Sequence, residues 1–310
     1  MKRFFVFSSL TVVVCLLAAE LSLRFFLGLG SPALTIVDPQ TEYMFAPNQR
    51  VKRFGNEQNY NEFSMRSGPI PSKESSNITL VFGDSVVNGG NLTDQKSLAT
   101  SELTSGSNYF GNVSAGSWGP SNILGWISKF GFHGASTAVF VLSSHDLKDA
   151  PTCEPLDQTS HPVEPPSLAT FEAVYRYAPR YLPPQISTPI VKALTPRRGP
   201  KPPCVASTAA GETYLNEILR KAEESNVKVC LIQHLTQTEL SQGPSEDAKA
   251  LRDVFQSRAV PVLQLTDFMA KESKDQKKFY RDDIHINAEG QHQLAKAIAQ
   301  CQEKATLPKL

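Results

Sequence analysis

The sequence predicts an α/β domain built on a parallel sheet with helices on both faces. Short apolar runs rich in β-branched and aromatic residues recur along the chain, each bounded by polar or glycine-containing stretches. Segments with apolar residues at helical spacing lie between and after them. Alternation of the two kinds implies β-α-β units joined by right-handed crossovers.

The first predicted strand is Ile78-Thr79-Leu80-Val81-Phe82. A second, short one is read at Tyr109-Phe110 and Val113, a third over 137–142, a fourth over 227–232 and a fifth over 260–265. Helical spacing appears at 121–130 through Ile123, Leu124, Ile127 and Phe130. It returns at 213–224 through Tyr214, Leu215, Ile218, Leu219 and Ala222, with charges on the opposite face. Residues 245–256 start with a capping-type serine, and residues 288–301 carry Leu294, Ala295, Ile298 and Cys301.

Residues 1–30 do not belong to that core. Lys2-Arg3 precede an uncharged run over 4–19, and apolar residues return after Glu20. The run is long for a cleavable signal peptide, and Leu17-Ala18-Ala19 is a poor cleavage site. The segment reads as an uncleaved signal anchor, a single transmembrane helix with Lys2-Arg3 in the cytoplasm and the rest exported. Residues 31–76, polar and punctuated by prolines and glycines, read as a juxtamembrane segment that packs on the domain of 77–310. Within that domain, 151–207 is a Pro-rich insert with a helical piece near 168–177. It follows the third strand, so it reads as a lid or substrate-side wall; a solvated linker is the alternative.

The net charge of +1 over 310 residues argues against a nucleic-acid partner, which needs a basic footprint. No internal repeat stands out. Cys153 and Cys204 bracket the insert and are either a disulfide or two thiols. Cys230, inside the fourth strand, reads as a packed thiol. With no Cys-x-x-Cys, nothing points to a metal or another cofactor.

Four polar blocks carry the chemistry. The first strand runs into Gly83-Asp84-Ser85 and then Val86-Val87-Asn88, placing a serine at the strand end where ligands bind in open parallel sheets. Glycine there permits a sharp turn. Near the C-terminus, Asp282-Asp283-Ile284-His285 places an acid three residues before an imidazole, close enough to orient it as a base for a hydroxyl. After the second strand, Asn112-Val113-Ser114-Ala115-Gly116-Ser117-Trp118 is rich in small residues whose N–H groups suit a developing oxyanion. The third strand ends on Ser143-Ser144-His145-Asp146.

In this order, the blocks resemble those of the SGNH (GDSL-type) hydrolase family over about residues 78–300, in the manner of a membrane-anchored bacterial member. The resemblance implies a flavodoxin-like three-layer sandwich with a five-stranded parallel sheet, and ester hydrolysis or acyl transfer without a cofactor. It implies Ser85 as nucleophile, His285 as base and Asp282 as orienting acid. The oxyanion donors it implies are the N–H groups of Ser85 and Gly116, with Ser117 an alternative to the latter, and His145. That histidine stands where the family has asparagine. A neutral imidazole donates one N–H; a cation donates more strongly but costs more to bury. Glu42-Tyr43, Pro47-Asn48, Asn61 and Met65-Arg66 resemble a stretch found ahead of this domain in anchored members. Such members belong to exopolysaccharide and envelope machinery, so an acylated glycan or small ester is the expected substrate.

Asn88, Trp118 and His234 are read as substrate contacts, although core packing competes for Trp118. His133 reads as a loop residue, and His161 and His292 as solvated. Three functions remain open at this level. The first is an extracytoplasmic serine esterase with a Ser-His-Asp triad. The others are an O-acyltransferase on an exopolysaccharide, and a non-catalytic glycan-binding or scaffold subunit.

Overall fold

In the computed structural model, residues 2–306 are described apart from 73, 75 and 208; the side chains of 2–8 and 180 also lie outside the description. The Lys2-Arg3 charges and residues 307–310 of the expected domain are therefore outside it. Helix α1 (Lys2–Leu27) carries the long apolar run. Its stretch Ser9–Leu27 has a mean hydropathy of 2.1 and, among the described residues, is the one helix long and apolar enough to cross a membrane.

The segment after it is more ordered than its polar sequence suggests. Strands β1 (Thr35–Asp38) and β2 (Glu42–Phe45) form one antiparallel hairpin, and β3 (Gln49–Arg53) and β4 (Asn56–Tyr60) another. The second closes on Phe54 and Gly55, both at positive φ, which suits the right-handed twist of paired strands. These strands are short and only half buried, so no period-2 alternation betrays them.

The main sheet has five parallel strands: β5 (Asn77–Gly83), β6 (Asn108–Ser114), β7 (Thr137–Leu142), β8 (Lys228–Gln233) and β9 (Val262–Gln264). Their order is β6-β5-β7-β8-β9, the flavodoxin-like arrangement. The chain leaves β5 to one side for β6 and then crosses to β7 on the other. The carboxyl end of β5 is thus the topological switch point, where ligands bind in such sheets.

Alternate side chains of each strand feed two cores, which makes the three layers. Leu80, Phe82, Ala138, Phe140 and Leu231 face helices α4 (Pro120–Phe130), α7 (Gly211–Glu224) and α9 (Glu246–Gln256). Those helices bring Ile123, Trp126, Leu215, Ile218, Leu251 and Phe255. Val81, Val139, Val141 and Ile232 face the other way. They meet Val86 and Val87 of α2 (Ser85–Asn88), Ala99 of α3 (Ala99–Leu103), α10 (Leu265–Glu272) and α11 (Ala288–Thr306). Helix α8 (Gln237–Gln242) follows β8.

The insert holds two helices, α5 (Ala169–Tyr181) and α6 (Pro184–Leu194). The second is hidden in the sequence by its prolines, although Pro184 sits at a helix start, where proline is tolerated. A Cys153–Cys204 disulfide ties the two ends of the insert together. Cys230 is not a lone packed thiol. It is bonded to Cys301, because α11 lies across β8 and brings the two Cα atoms to 5.8 Å.

Helix α1 does not simply lead into the domain. No side chain of α5 itself caps its N-terminus. Glu20 of α1 does so instead, accepting the Ala169 and Thr170 N–H groups at 2.9 Å each. Arg24 pairs with Glu20 at 2.6 Å and donates to the Ser167 carbonyl at 3.1 Å. One turn into α5, Glu172 is fully buried against Arg53 at 2.5 Å and accepts the Gly30 N–H at 2.6 Å.

Candidate active site

Ser85 begins α2 directly after β5, so its position is set by the sheet. Gly83, the last residue of β5, lets its neighbours approach closely. A Cβ there would stand 2.5 Å from Val87 and 2.9 Å from the Val141 carbonyl, so any side chain would clash with α2 and with β7. Asp84 caps α2 by accepting the Val86 N–H at 2.8 Å.

His285 arrives from the loop before α11. Its Nε2 is 2.9 Å from Ser85 Oγ, and its Nδ1 is 2.8 Å from Asp282 Oδ2. Asp282 Oδ1 also accepts the backbone N–H groups of His285 at 2.8 Å and Ile284 at 3.1 Å. Partial burial works to raise its pKa, but the His285 amide, the His285 ring and the Ile284 amide together hold it below the usual carboxylate value. The three side chains form one hydrogen-bonded line from carboxylate to hydroxyl.

The loop carrying them is braced from β8. Tyr280 donates its hydroxyl to the Leu235 carbonyl at 2.6 Å. His234, read from sequence as a substrate contact, is fully buried and its Nε2 bonds the Ile284 carbonyl at 2.7 Å. Burial depresses its basicity, so it is a neutral strut under the His285 loop and not a residue of the cavity. Trp118 is likewise removed from substrate: it is buried and its indole N–H goes to the Tyr43 carbonyl at 2.8 Å.

A cavity of about 150 Å³ opens in front of Ser85, with Gly116 and Asn88 on its wall. Among the described residues, no acceptor is bonded to the N–H of Ser85 or of Gly116. The space beside the Gly116 α-carbon is empty, so a substrate oxygen can approach that peptide. Tyr43 donates its hydroxyl to the Gly116 carbonyl at 2.6 Å and holds the loop in place. Asn88 is tied down in turn, donating to the Ser114 carbonyl at 3.1 Å. Its own carbonyl accepts from the buried guanidinium of Arg66, which also donates to the Gly90 and Thr93 carbonyls at 2.7 Å each.

His145 is placed differently from Gly116. It does not line that cavity; its Nε2 is 3.6 Å from Asp84 Oδ2 and 3.9 Å from Asp146 Oδ1. The Asp84 carboxylate is the largest influence on it. Burial opposes protonation, Asp146 and Asp149 favour it, and the imidazole is pushed up to about 9. A cation can persist there because three carboxylates surround it and half the ring is exposed. Asp146 is fully buried, and burial pushes its carboxyl up against the pull of His145. Its Oδ2 accepts the Ser143 N–H at 2.7 Å and so shapes the loop.

The rest of the wall comes from outside the strand ends. Ala33, Phe45 and Gln58 belong to the juxtamembrane segment, and Ser160, His161, Pro162 and Arg176 to the insert. The insert is therefore a wall of the cavity. Thr35 fastens it by donating its N–H to the Pro162 carbonyl at 2.7 Å. His161, expected in solvent, lies tilted against the Tyr43 ring with centroids 4.4 Å apart, and burial lowers its basicity. His292 is exposed and pairs with Glu102 at 2.6 Å. No motif marks Arg176 or His161 in the sequence; Tyr43 lies in the Glu42-Tyr43 stretch already singled out there.

No family model matches this chain, and no curated protein does. Similar solved structures include a member of the lipolytic G-D-S-L family from Veillonella parvula, with 9% identity over 73% of this chain and 97% of that one, and a TM-score of 0.42. A lipase/acylhydrolase from Enterococcus faecalis shows 14% identity over 76% and 99%, with a TM-score of 0.42. The LAE5 α/β hydrolase enzyme from the Lake Arreo metagenome in Spain shows 10% identity over 76% and 100%, with a TM-score of 0.43.

Proposed function

We propose that the chain is a serine ester hydrolase of the SGNH (GDSL) type, anchored by α1 with its catalytic domain outside the cytoplasm. The observation that carries the reading is the unbroken hydrogen-bonded line from Asp282 through His285 to Ser85. His285 takes the Ser85 proton as Oγ attacks the ester carbonyl, and Asp282 fixes the tautomer and balances the imidazolium. The N–H groups of Ser85 and Gly116 receive the oxyanion. His285 then protonates the leaving alcohol, and a water activated by the same imidazole releases the acyl group. His145 acts one step back, neutralising the carboxylate beside the nucleophile.

An intact triad with open N–H donors counts against a purely binding or scaffold subunit. Two disulfides fit an oxidising compartment, and Lys2-Arg3 ahead of α1 favours an exported domain. The side-chain contacts of Glu20 and Arg24 with the insert favour retention of α1 over its removal as a signal peptide. An O-acylated envelope glycan is the substrate favoured by the sequence resemblance. The test uses the full-length protein in detergent. A fluorophosphonate should label Ser85, and hydrolysis of short p-nitrophenyl esters should disappear in Ser85→Ala. Undiminished activity in that variant, or no labelling of the wild type, overturns the reading.

A further inference from the structure

We propose that Arg176 makes the cavity in front of Ser85 an anion subsite, so that the ester turned over carries a carboxylate or phosphate group near the scissile bond. The inference rests on the esterase reading and adds the substrate's charge to it.

Arg176 projects from the insert onto the same cavity wall as Ser85 and Gly116. No carboxylate lines that cavity among the described residues. The nearest acid to Arg176 is Glu172, one turn earlier on α5, at 3.6 Å from Arg176 Nε. That separation is too long for a hydrogen bond. Glu172 is moreover already committed. Arg53 meets both of its oxygens, at 2.5 and 3.4 Å, and the Gly30 N–H takes one of them at 2.6 Å. One carboxylate thus stands between two guanidinium groups, leaving a unit of positive charge uncompensated.

That surplus is held where water screens it poorly. The Arg176 side chain is 16% exposed, and its Nε is buried without a hydrogen-bond partner. A guanidinium with unpaired donors on the wall of that cavity is matched by a planar carboxylate or a phosphate, which accept its N–H groups in pairs. The other cavity groups are neutral: Gln58, Asn88, Ser160 and a His161 whose basicity burial lowers, with Arg176 adding to that effect. The positive charge is therefore not duplicated on the wall, and its removal should be felt in full.

The experiment compares three esters on the full-length protein in detergent. They are p-nitrophenyl acetate, which is neutral; mono-p-nitrophenyl succinate, with its charge on the acyl side; and 4-acetoxybenzoate, with its charge on the alcohol side. At least one anionic ester should be preferred over the neutral one by about tenfold or more in kcat/KM, the scale of one charged hydrogen bond. Arg176→Gln should abolish that preference chiefly through KM, cost the preferred anionic ester far more than p-nitrophenyl acetate, and be partly rescued by Arg176→Lys. The two anionic esters separate a charged acyl group from a charged alcohol. Ser85→Ala supplies a readout free of turnover: it should bind 4-acetoxybenzoate or succinate, and Ser85→Ala with Arg176→Gln should not. No charge preference, or equal losses on neutral and charged esters, overturns the anion subsite. Absence of fluorophosphonate labelling instead overturns the esterase reading, and the binding comparison then decides the subsite alone.

Discussion

The carboxylate of Asp84 and the imidazole of His145 stand 3.6 Å apart, beside the serine that Asp84 precedes. Asp146 and Asp149 stand around the pair. Asp84, Asp146 and Asp149 raise the folded-state His145 value to about 9, against about 6.5 for a free imidazole. A raised basic group stabilises the fold fully below its unfolded value and loses that contribution as pH climbs through the folded one. His145→Asn should therefore lower the melting temperature most at pH 6. The difference from wild type should shrink above about pH 6.5 and vanish above about pH 9. Thermal scans at five pH values check it. A constant difference across that range contradicts the ion pair.

His145→Asn should also spare turnover. Removing one oxyanion donor costs about a hundred- to a thousandfold in kcat. His145 does not line the cavity, so its loss should fall well short of that. Steady-state kinetics on a neutral ester at pH 7 decide; a thousandfold drop would return His145 to the oxyanion.

Asp282 should matter far more. Asp282→Asn keeps an oxygen for the two backbone N–H groups but favours the wrong imidazole tautomer. A fall in kcat of about ten-thousandfold is expected, with KM little changed, as for other triads that lose this acid. A loss confined to KM would place Asp282 in substrate binding instead.

The Cys230–Cys301 bond ties α11, and with it the end of the loop bearing His285, to β8. Its ends are 71 residues apart. Replacing both cysteines with alanine should cost about 4 kcal/mol on the chain-entropy estimate for a loop of that size. Urea unfolding of the variant and the oxidised wild type measures it. A free-thiol count separates a bonded pair from two buried thiols.

Glu20 caps a helix that belongs to another part of the chain. Glu20→Ala should cost about 1 kcal/mol, the usual value of a lost cap, and should loosen α5 before the rest of the domain. Limited proteolysis within 151–207 should speed up while the sheet stays protected. Uniform protection in the variant would show that the cap holds nothing.

Periodicity and local chemistry explain what could be read in advance. The central strands announce themselves because both of their faces are buried, leaving near-continuous apolar runs such as 137–142, whereas the edge strand β9 is only half buried and shorter than the run 260–265 read for it. Ser85 and the Asp282–His285 pair are legible because their geometry is local: a turn after a strand, and an acid three residues before its base. The hairpins of 35–60 escape because half-buried strands carry no clean alternation. Helix α6 escapes because Pro189 lies inside it. His234, Cys230 and His161 are misread for a different cause. Each is decided by a partner far along the chain, Ile284, Cys301 and Tyr43 in turn, and no window of sequence contains both members. Arg176 belongs to the same class.

The docking of α1 onto the insert decides how a reagent made from this chain would behave. A soluble version beginning after residue 30 would look like a sensible reagent, since the triad and the whole sheet lie beyond that point. It would lack the carboxylate that caps α5, the arginine on Ser167 and the Gly30 N–H on Glu172. The helix that presents Arg176 would then be held by fewer contacts, while Ser85, His285 and Asp282 kept theirs. Such a reagent should hydrolyse simple esters and choose poorly among charged ones.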